Sequence, residues 1–209
     1  MKKTFIILCA FCLTTVAHAQ DNGEKILDQS ASKIKKSGNI KASFTATTFD
    51  GLEEQGSISG TMLLQDKKFQ MNTPEMVVWY DGKTQWSYMA ENDEVNVSEP
   101  TRKELQVINP YAFIDLYKKG YNISMRQTTL RNQPIYEVHL VANRTDLATR
   151  EIYIDVSKEN FIPLCIRARQ GQEWHRISIH SFEGKQKFSE NDFKFQNDKY
   201  PTAEIVDLR

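Results

Sequence analysis

The hydrophobic pattern changes period near Ile40, which predicts one helix followed by many strands. From Asp21 to Gly38, apolar residues recur at helical spacing, with Asp21 and Glu24 as a capping pair and Gly38 as a stop. From Ile40 onward, apolar and polar residues alternate through about ten or eleven short segments. An antiparallel sheet of that size must curl or split. We therefore expect an α+β fold with a strongly curved antiparallel sheet, an unclosed β-barrel whose concave face is covered by short helices.

One segment interrupts the strands with a second helical pattern. Asn109-Pro110 suits a helix start and Lys118-Lys119-Gly120 suits a stop. The intervening residues are apolar nearly all round, including Phe113, Ile114 and Leu116. Such a helix must be covered on most sides. We predict that it lies against the concave side of the sheet.

The pair Asp81-Gly82 predicts a tight hairpin with aromatic side chains on one face. Two-residue loops of this type have positive φ at both turn positions, which would place Tyr80 opposite Lys83. Because side chains alternate with period 2, the same count places four residues together. These are Val77, Trp79, Trp86 and Tyr88.

The N-terminus predicts export. Lys2 and Lys3 precede an apolar run and the small-residue site Ala17-His18-Ala19, so residues 1–19 are expected to be a cleaved signal peptide. Residues 20–209 would form a single domain located in the periplasm. Cys165 would then be the only cysteine, which excludes an intramolecular disulfide. The balance of 27 basic and 27 acidic residues, without a basic patch, argues against nucleic acid as a partner.

Residues suited to chemistry do not form a recognisable catalytic or metal set. Gly56-Ser57-Ile58-Ser59-Gly60 has Ile58 where a nucleophile elbow needs serine. His175 and His180 fall on opposite faces of a strand, and Glu173 with His175 provides only two metal ligands. Cys165 has the strand parity of Arg167 and is expected to face away from the apolar side. We predict no catalytic residues, no metal and no cofactor.

The middle of the chain carries a motif that resembles the LolA family of periplasmic lipoprotein carriers. Gly60 opens an apolar strand, and Lys68-Phe69, Thr73-Pro74, a second apolar strand, Asp81-Gly82-Lys83-Thr84 and Trp86 follow in order. The resemblance covers nearly all of the mature chain. It implies an unclosed barrel with helices as a lid, and a space between them that takes the acyl chains of lipoproteins.

The resemblance also implies a function and partners. The chain would be a monomeric carrier that moves acylated lipoproteins from the inner to the outer membrane. Its donor would be an inner-membrane lipoprotein-releasing transporter, and its acceptor an outer-membrane receptor. The residues expected to contact acyl chains are Phe44, Ile58, Met62, Phe69, Met71, Val77, Trp79, Trp86, Tyr88, Phe113, Ile114, Leu116, Val138, Leu140, Ile152 and Ile154.

Three alternatives stay open. The helices could simply fill the concavity as core, or the same fold could carry or sense another apolar ligand, such as a free lipid or a glycolipid. A secreted β-rich hydrolase using Ser57 or His175 is the third. One departure bears on the lid: the family commonly has an Arg-Pro pair before the phenylalanine of the third strand, whereas this chain has Lys67-Lys68-Phe69. A lysine does not reproduce the planar fork of arginine.

Overall fold

Twelve strands form one continuous sheet in the computed structural model, which describes residues 15–101, 104–105, 117–118 and 120–209. In chain order the strands are β1 (Ile40–Asp50), β2 (Glu53–Gln65), β3 (Lys68–Asn72), β4 (Met76–Tyr80), β5 (Gln85–Met89), β6 (Glu94–Ser98), β7 (Tyr121–Leu130), β8 (Gln133–Ala142), β9 (Thr149–Ser157), β10 (Pro163–Gln170), β11 (Glu173–Glu183) and β12 (Glu204–Asp207). Two short 3-10 helices, Glu190–Phe193 and Asn197–Lys199, lie between β11 and β12.

The sheet consists of two antiparallel meanders joined by the pairing of β1 with β11. The strand order is β12-β6-β5-β4-β3-β2-β1-β11-β10-β9-β8-β7, so β12 and β7 are opposite edges and the described sheet is not closed. The predicted unclosed sheet is confirmed. The difference is β12, which runs parallel to β6. Its four residues lack a long alternating pattern, which explains why ten or eleven strands were expected and why an antiparallel sheet was predicted throughout.

A single long helix, α1 (Thr15–Lys36), precedes the sheet. It ends as predicted, because Gly38 has φ of +64° and the Ser37 amide donates to the Lys33 carbonyl oxygen at 3.0 Å. The predicted start is wrong: Asp21 lies within the helix, which already includes Thr15, and therefore does not cap it. No helix in the described ranges combines the length and apolar character needed to cross a membrane.

Period-2 alternation gives the sheet two distinct faces. The helix face, which we define by Phe44, Phe69 and Ile154, packs beneath α1. The outer face, defined by Trp79, Tyr153 and Arg167, lies on the opposite side. Helix and sheet approach closely at Gly23, where a Cβ atom would lie 2.7 Å from Cγ2 of Ile123. A residue with a side chain at this position would push α1 away from β7.

Two apolar clusters form the core of the helix face. In the first, Ile26 and Leu27 of α1 pack on β7–β10, and in the second, Ile34 packs on residues of β1–β4. Leu105, described as helical together with Glu104, also packs against the second cluster. The predicted helix between Asn109 and Gly120, with Phe113, Ile114 and Leu116, falls outside the described residues.

The hairpin at Asp81 differs from the predicted two-residue turn. Tyr80 pairs with Gln85 rather than Lys83, so the loop contains four residues. Gly82 has φ of +101°, whereas Asp81 is not among the residues with positive φ. The Asp81 Oδ1 atom accepts hydrogen bonds from the amides of Lys83 at 3.0 Å and Thr84 at 2.9 Å. This Asx geometry stabilises the longer loop.

Candidate functional site: a cavity on the helix face

Of the sixteen residues predicted to contact acyl chains, the thirteen that the structure describes do not form one surface. Nine of those described lie on the helix face: Phe44, Ile58, Met62, Phe69, Met71, Val138, Leu140, Ile152 and Ile154. Most are core residues; Met62 is 1% exposed, and Ile152 and Ile154 are fully buried. Ile58 and Met71 are only partly buried. Packing within the protein therefore accounts for most of this predicted set.

The other four described residues lie on the outer face, which corrects the predicted aromatic wall. Trp79 pairs with Trp86 and Val77 with Tyr88, so the four do share a face as expected. However, Gln70 pairs with Trp79, whereas Phe69 pairs with Tyr80, which puts the wall opposite the helix face. A single cavity cannot be lined by both sets.

The aromatic wall is covered by the C-terminal segment. The Trp79 ring meets the rings of Phe195 and Tyr200 at centroid distances of 5.7 and 5.6 Å. Tyr88 also packs on Tyr200 at 4.5 Å, and Phe193 is fully buried. These edge-to-face and tilted contacts form a second, smaller core on the outer face.

An open cavity of about 580 Å³ lies at the end of the sheet near the β1–β2 and β10–β11 turns. Its apolar lining includes Ala46, Ile58, Ala168 and Ile177. Ile177 packs against both helix-face clusters, so the cavity lies between them. Of the predicted residues, only Ile58 is part of this described lining.

Small side chains leave this space open. The strand register aligns Gly56, Thr48, His175 and Ala168 across β2, β1, β11 and β10. The next row contains Ile58, Ala46 and Ile177. Strand alternation from Phe44 could have identified Ala46, but the register between β1 and β11 that brings in Ile177 and Ala168 was not readable from the sequence.

Polar groups surround the apolar part of the cavity. Gln55, Glu75 and Gln170 are part of its lining, and His175 Nδ1 lies 3.3 Å from Thr48 Oγ1. An apolar floor with a few polar groups at its margin is typical of sites for small amphiphilic ligands. The volume is also within the usual range for such sites, roughly 300–1,000 Å³.

Lys68 cannot replace an arginine that holds helices over the helix face. Its neighbour Phe69 lies on the helix face, so Lys68 projects from the outer face. There its Nζ atom binds Glu190 Oε1 at 2.6 Å. The residue connects β3 to the C-terminal segment instead.

The groups considered for catalysis and metal binding have other partners. Ser57 Oγ lies 3.2 Å from Thr47 Oγ1. Cys165 is on the outer face, as expected from its parity, but it is buried, and burial raises the pKa of its thiol. Within the described part of the chain, no group of three or more His, Cys, Asp and Glu side chains could hold a metal ion.

An open twelve-stranded sheet with a helix packed on one face is the architecture of an unclosed barrel. The chain belongs to the family described as outer membrane lipoprotein carrier protein LolA, whose sequence model matches residues 13–172. No curated protein sequence matches it.

Solved structures support the fold at low sequence identity. An uncharacterized conserved protein from Thermus thermophilus is 9% identical, with a TM-score of 0.60 over 89% of this chain and 99% of the other. A LolA superfamily protein from Nitrosomonas europaea is 9% identical, with a TM-score of 0.43 over 83% and 97%. The lipoprotein LppX from Mycobacterium tuberculosis is 8% identical, with a TM-score of 0.49 over 80% and 98%. Of these three, the Thermus protein, with a TM-score of 0.60, supports the fold.

Proposed function

We propose that this protein carries lipoproteins through the periplasm by sheltering their acyl chains in the helix-face cavity. The observation that most directly supports this proposal is the apolar opening between the two core clusters, around Ala46, Ile58 and Ile177. Membership of the LolA family supports the choice of acyl chains as the ligand. The role is transport without a chemical step.

The proposed route requires export and two membrane partners. Cleavage after Ala19 would release a monomer, Gln20–Arg209, into the periplasm. It would receive lipoproteins from an inner-membrane transporter and deliver them to an outer-membrane receptor. These partners follow from the family and from the acyl ligand.

The energetics of acyl burial suit a carrier. Burying one methylene group contributes about 0.8 kcal/mol, so roughly ten contribute about 8 kcal/mol. That corresponds to a dissociation constant of about 1 μM before the costs of ordering. Such an affinity keeps the chains out of water and still permits release to a tighter acceptor.

A free lipid or a glycolipid is the second candidate ligand. The polar margin formed by Gln55, Glu75, Gln170 and Arg176 suits a ligand with a polar head.

Native mass spectrometry of the mature chain, isolated without detergent from the periplasm of its source cells, tests both candidates. Acylated lipoproteins bound in stoichiometric amounts are the expected result. Bound free lipid or glycolipid would replace the first proposal by the second. An empty protein that also ignores an apolar fluorescent probe would contradict both.

Depletion of the protein in its source cells gives a second test of the transport role. Outer-membrane lipoproteins should then accumulate at the inner membrane. Normal lipoprotein distribution after complete depletion would contradict the transport role even if acyl chains bind in vitro.

A further inference from the structure

A second cavity, of about 390 Å³, opens on the outer face beside the β1–β2 turn. His175 and Arg176 line both cavities, but the second one differs in that its described lining combines cations with aromatic rings and contains no carboxylate. The principal lining residues are Arg126, Arg167, Arg176, Phe49, Tyr153 and Trp174.

Two of the three arginines are already neutralised by buried carboxylates. Arg126 Nε lies 2.5 Å from Glu137 Oε1, and Arg167 Nη2 lies 2.7 Å from Glu137 Oε2. Arg167 Nη2 is also 3.2 Å from Asp155 Oδ1. Two positive and two negative charges therefore balance within this group.

Arg176 is the cation that remains uncompensated. Among the described residues it makes no ion pair, and its guanidinium carbon lies 4.7 Å from the centre of the Phe49 ring. Its Nε atom is buried without a hydrogen-bond partner, and the same is true of Arg167 Nε. Buried donors without partners are uncommon in folded proteins. The pocket lining therefore offers one guanidinium without a carboxylate partner among the described residues and two N–H donors without acceptors.

The geometry favours a planar anion joined to an apolar body. The rigid guanidinium fork matches a carboxylate, which can accept two parallel hydrogen bonds. Trp174 and the fully exposed Leu52 form the apolar part of the pocket. A ligand of this kind could place its carboxylate at Arg176 and its body against the indole.

Exposed acidic residues near the pocket argue against a membrane surface as the ligand. Asp50, Glu53, Glu54 and Glu173 are exposed at the ends of β1, β2 and β11 beside it. An array of anionic lipid headgroups, which would spread over the whole rim, would be repelled by these carboxylates. We propose that this pocket is a second binding site, which takes one carboxylate carried by an apolar or aromatic body.

The test is an NMR titration that observes the Arg176 Nε–Hε signal together with the indole of Trp174. The probes are 4-phenylbutyrate and its uncharged amide, 4-phenylbutyramide. The carboxylate should shift both signals and bind at least tenfold more tightly than the amide. Equal affinity of the two probes, or no shift at millimolar carboxylate, would overturn the proposal.

Variants identify the cation responsible. Arg176→Gln should weaken 4-phenylbutyrate binding at least tenfold, and Arg176→Lys should give an intermediate loss because it keeps the charge without the fork. Arg144→Gln is the matched control, since Arg144 is exposed and pairs with Asp146 in the β8–β9 loop. It should bind like the wild type. Undiminished binding by a folded Arg176→Gln protein would overturn the assignment.

A further arm distinguishes a free acid from the end of a polypeptide. N-acetyl-leucyl-phenylalanine, with a free terminal carboxylate, is compared with 4-phenylbutyrate and with its own C-terminal amide. Tighter binding of the peptide acid than of 4-phenylbutyrate would identify a polypeptide terminus as the natural source. Binding of 4-phenylbutyrate alone would identify a free carboxylic acid.

Discussion

The indole of Trp79 lies edge-on to the ring of Tyr200, with ring centroids 5.6 Å apart. The contact attaches the C-terminal segment to β4 on the face opposite α1. Trp79 is only 5% exposed, although it lies on the outer face. The aromatic wall therefore contributes to stability, and it lies on the face opposite the cavity around Ile58.

Trp79→Ala should lower the free energy of unfolding by about 3–5 kcal/mol, the usual cost of truncating a buried aromatic residue. Denaturant unfolding measures the loss. Leu208→Ala, at a residue 63% exposed, should change stability by less than about 0.5 kcal/mol. At temperatures where Trp79→Ala remains folded, its affinity for an apolar probe should be unchanged. If Trp79→Ala bound the probe more weakly but kept normal stability, Trp79 would belong to the ligand site.

A matched pair on β2 tests the acyl cavity. Ile58 is a half-buried lining residue of the cavity, whereas Ser59 is exposed on the outer face. Ile58→Trp should fill the cavity and weaken the binding of an apolar fluorescent probe at least tenfold. Ser59→Trp should change the affinity for the same probe less than twofold. Circular dichroism establishes that both variants are folded. Equal effects of the two substitutions would place the ligand elsewhere.

Two glycines of β2 should respond in opposite directions to alanine. A Cβ at Gly60 would lie 2.5 Å from the backbone oxygen of Asn72 and 3.1 Å from Cζ of Phe44. Gly60→Ala should therefore cost about 1–3 kcal/mol through overpacking. At Gly56 a Cβ meets no atom within 4 Å. Gly56→Ala should be neutral or stabilising by up to about 1 kcal/mol, since alanine restricts the unfolded chain. Thermal unfolding measures the change in stability of each variant.

Glu137 should stabilise the protein in a pH-dependent way. Burial opposes its ionisation, but hydrogen bonds from Arg126 and Arg167 outweigh this and hold the pKa of the carboxyl below its ordinary value. Its contribution is therefore complete above about pH 4.3, the ordinary value for glutamate, and is lost as the pH falls through the lowered pKa. Glu137→Gln should cost about 2 kcal/mol at pH 7, and the difference from wild type should shrink on acidification.

Asp155→Asn should show the opposite trend. Burial raises the pKa of Asp155 despite the nearby Arg167. The folded protein thus binds this proton more tightly than the unfolded chain does, and the resulting stabilisation is present below about pH 3.9 and lost as the pH rises through the raised pKa. Relative to Asp155→Asn, the wild type should gain stability as the pH falls. Parallel pH profiles for the two variants would contradict these assignments.

Strand alternation predicted the sheet well because almost every strand has one buried face. It also predicted that Trp79 and Trp86 share a face, since lengthening the loop from two to four residues preserves the parity of the pairs. Parity does not say which face a helix covers. Between Lys68 and Ser98 both faces carry apolar residues, because the C-terminal segment covers the second one, and its few cues did not reveal this.

The cavity was harder to predict than the fold. A void depends on where small side chains meet across strands, and Ala168 is far in sequence from Ala46 and Gly56. Large apolar residues such as Phe69 and Ile154 are easy to select from a sequence as ligand contacts. In the structure they are buried and form the core instead of lining an opening. Ile58 was the one predicted residue that borders the described opening.

The pairing of β1 with β11 limits the order in which the sheet can fold. Lys41 pairs with Glu183, so the two meanders cannot join until nearly the whole chain is available, and β6 gains β12 only when residues 204–207 are present. Contacts so distant in sequence form slowly. Until then the first meander exposes apolar surface on both faces and unpaired strands at both edges. A chain that stops before Phe193 would keep those surfaces open and is expected to aggregate rather than fold into a smaller domain.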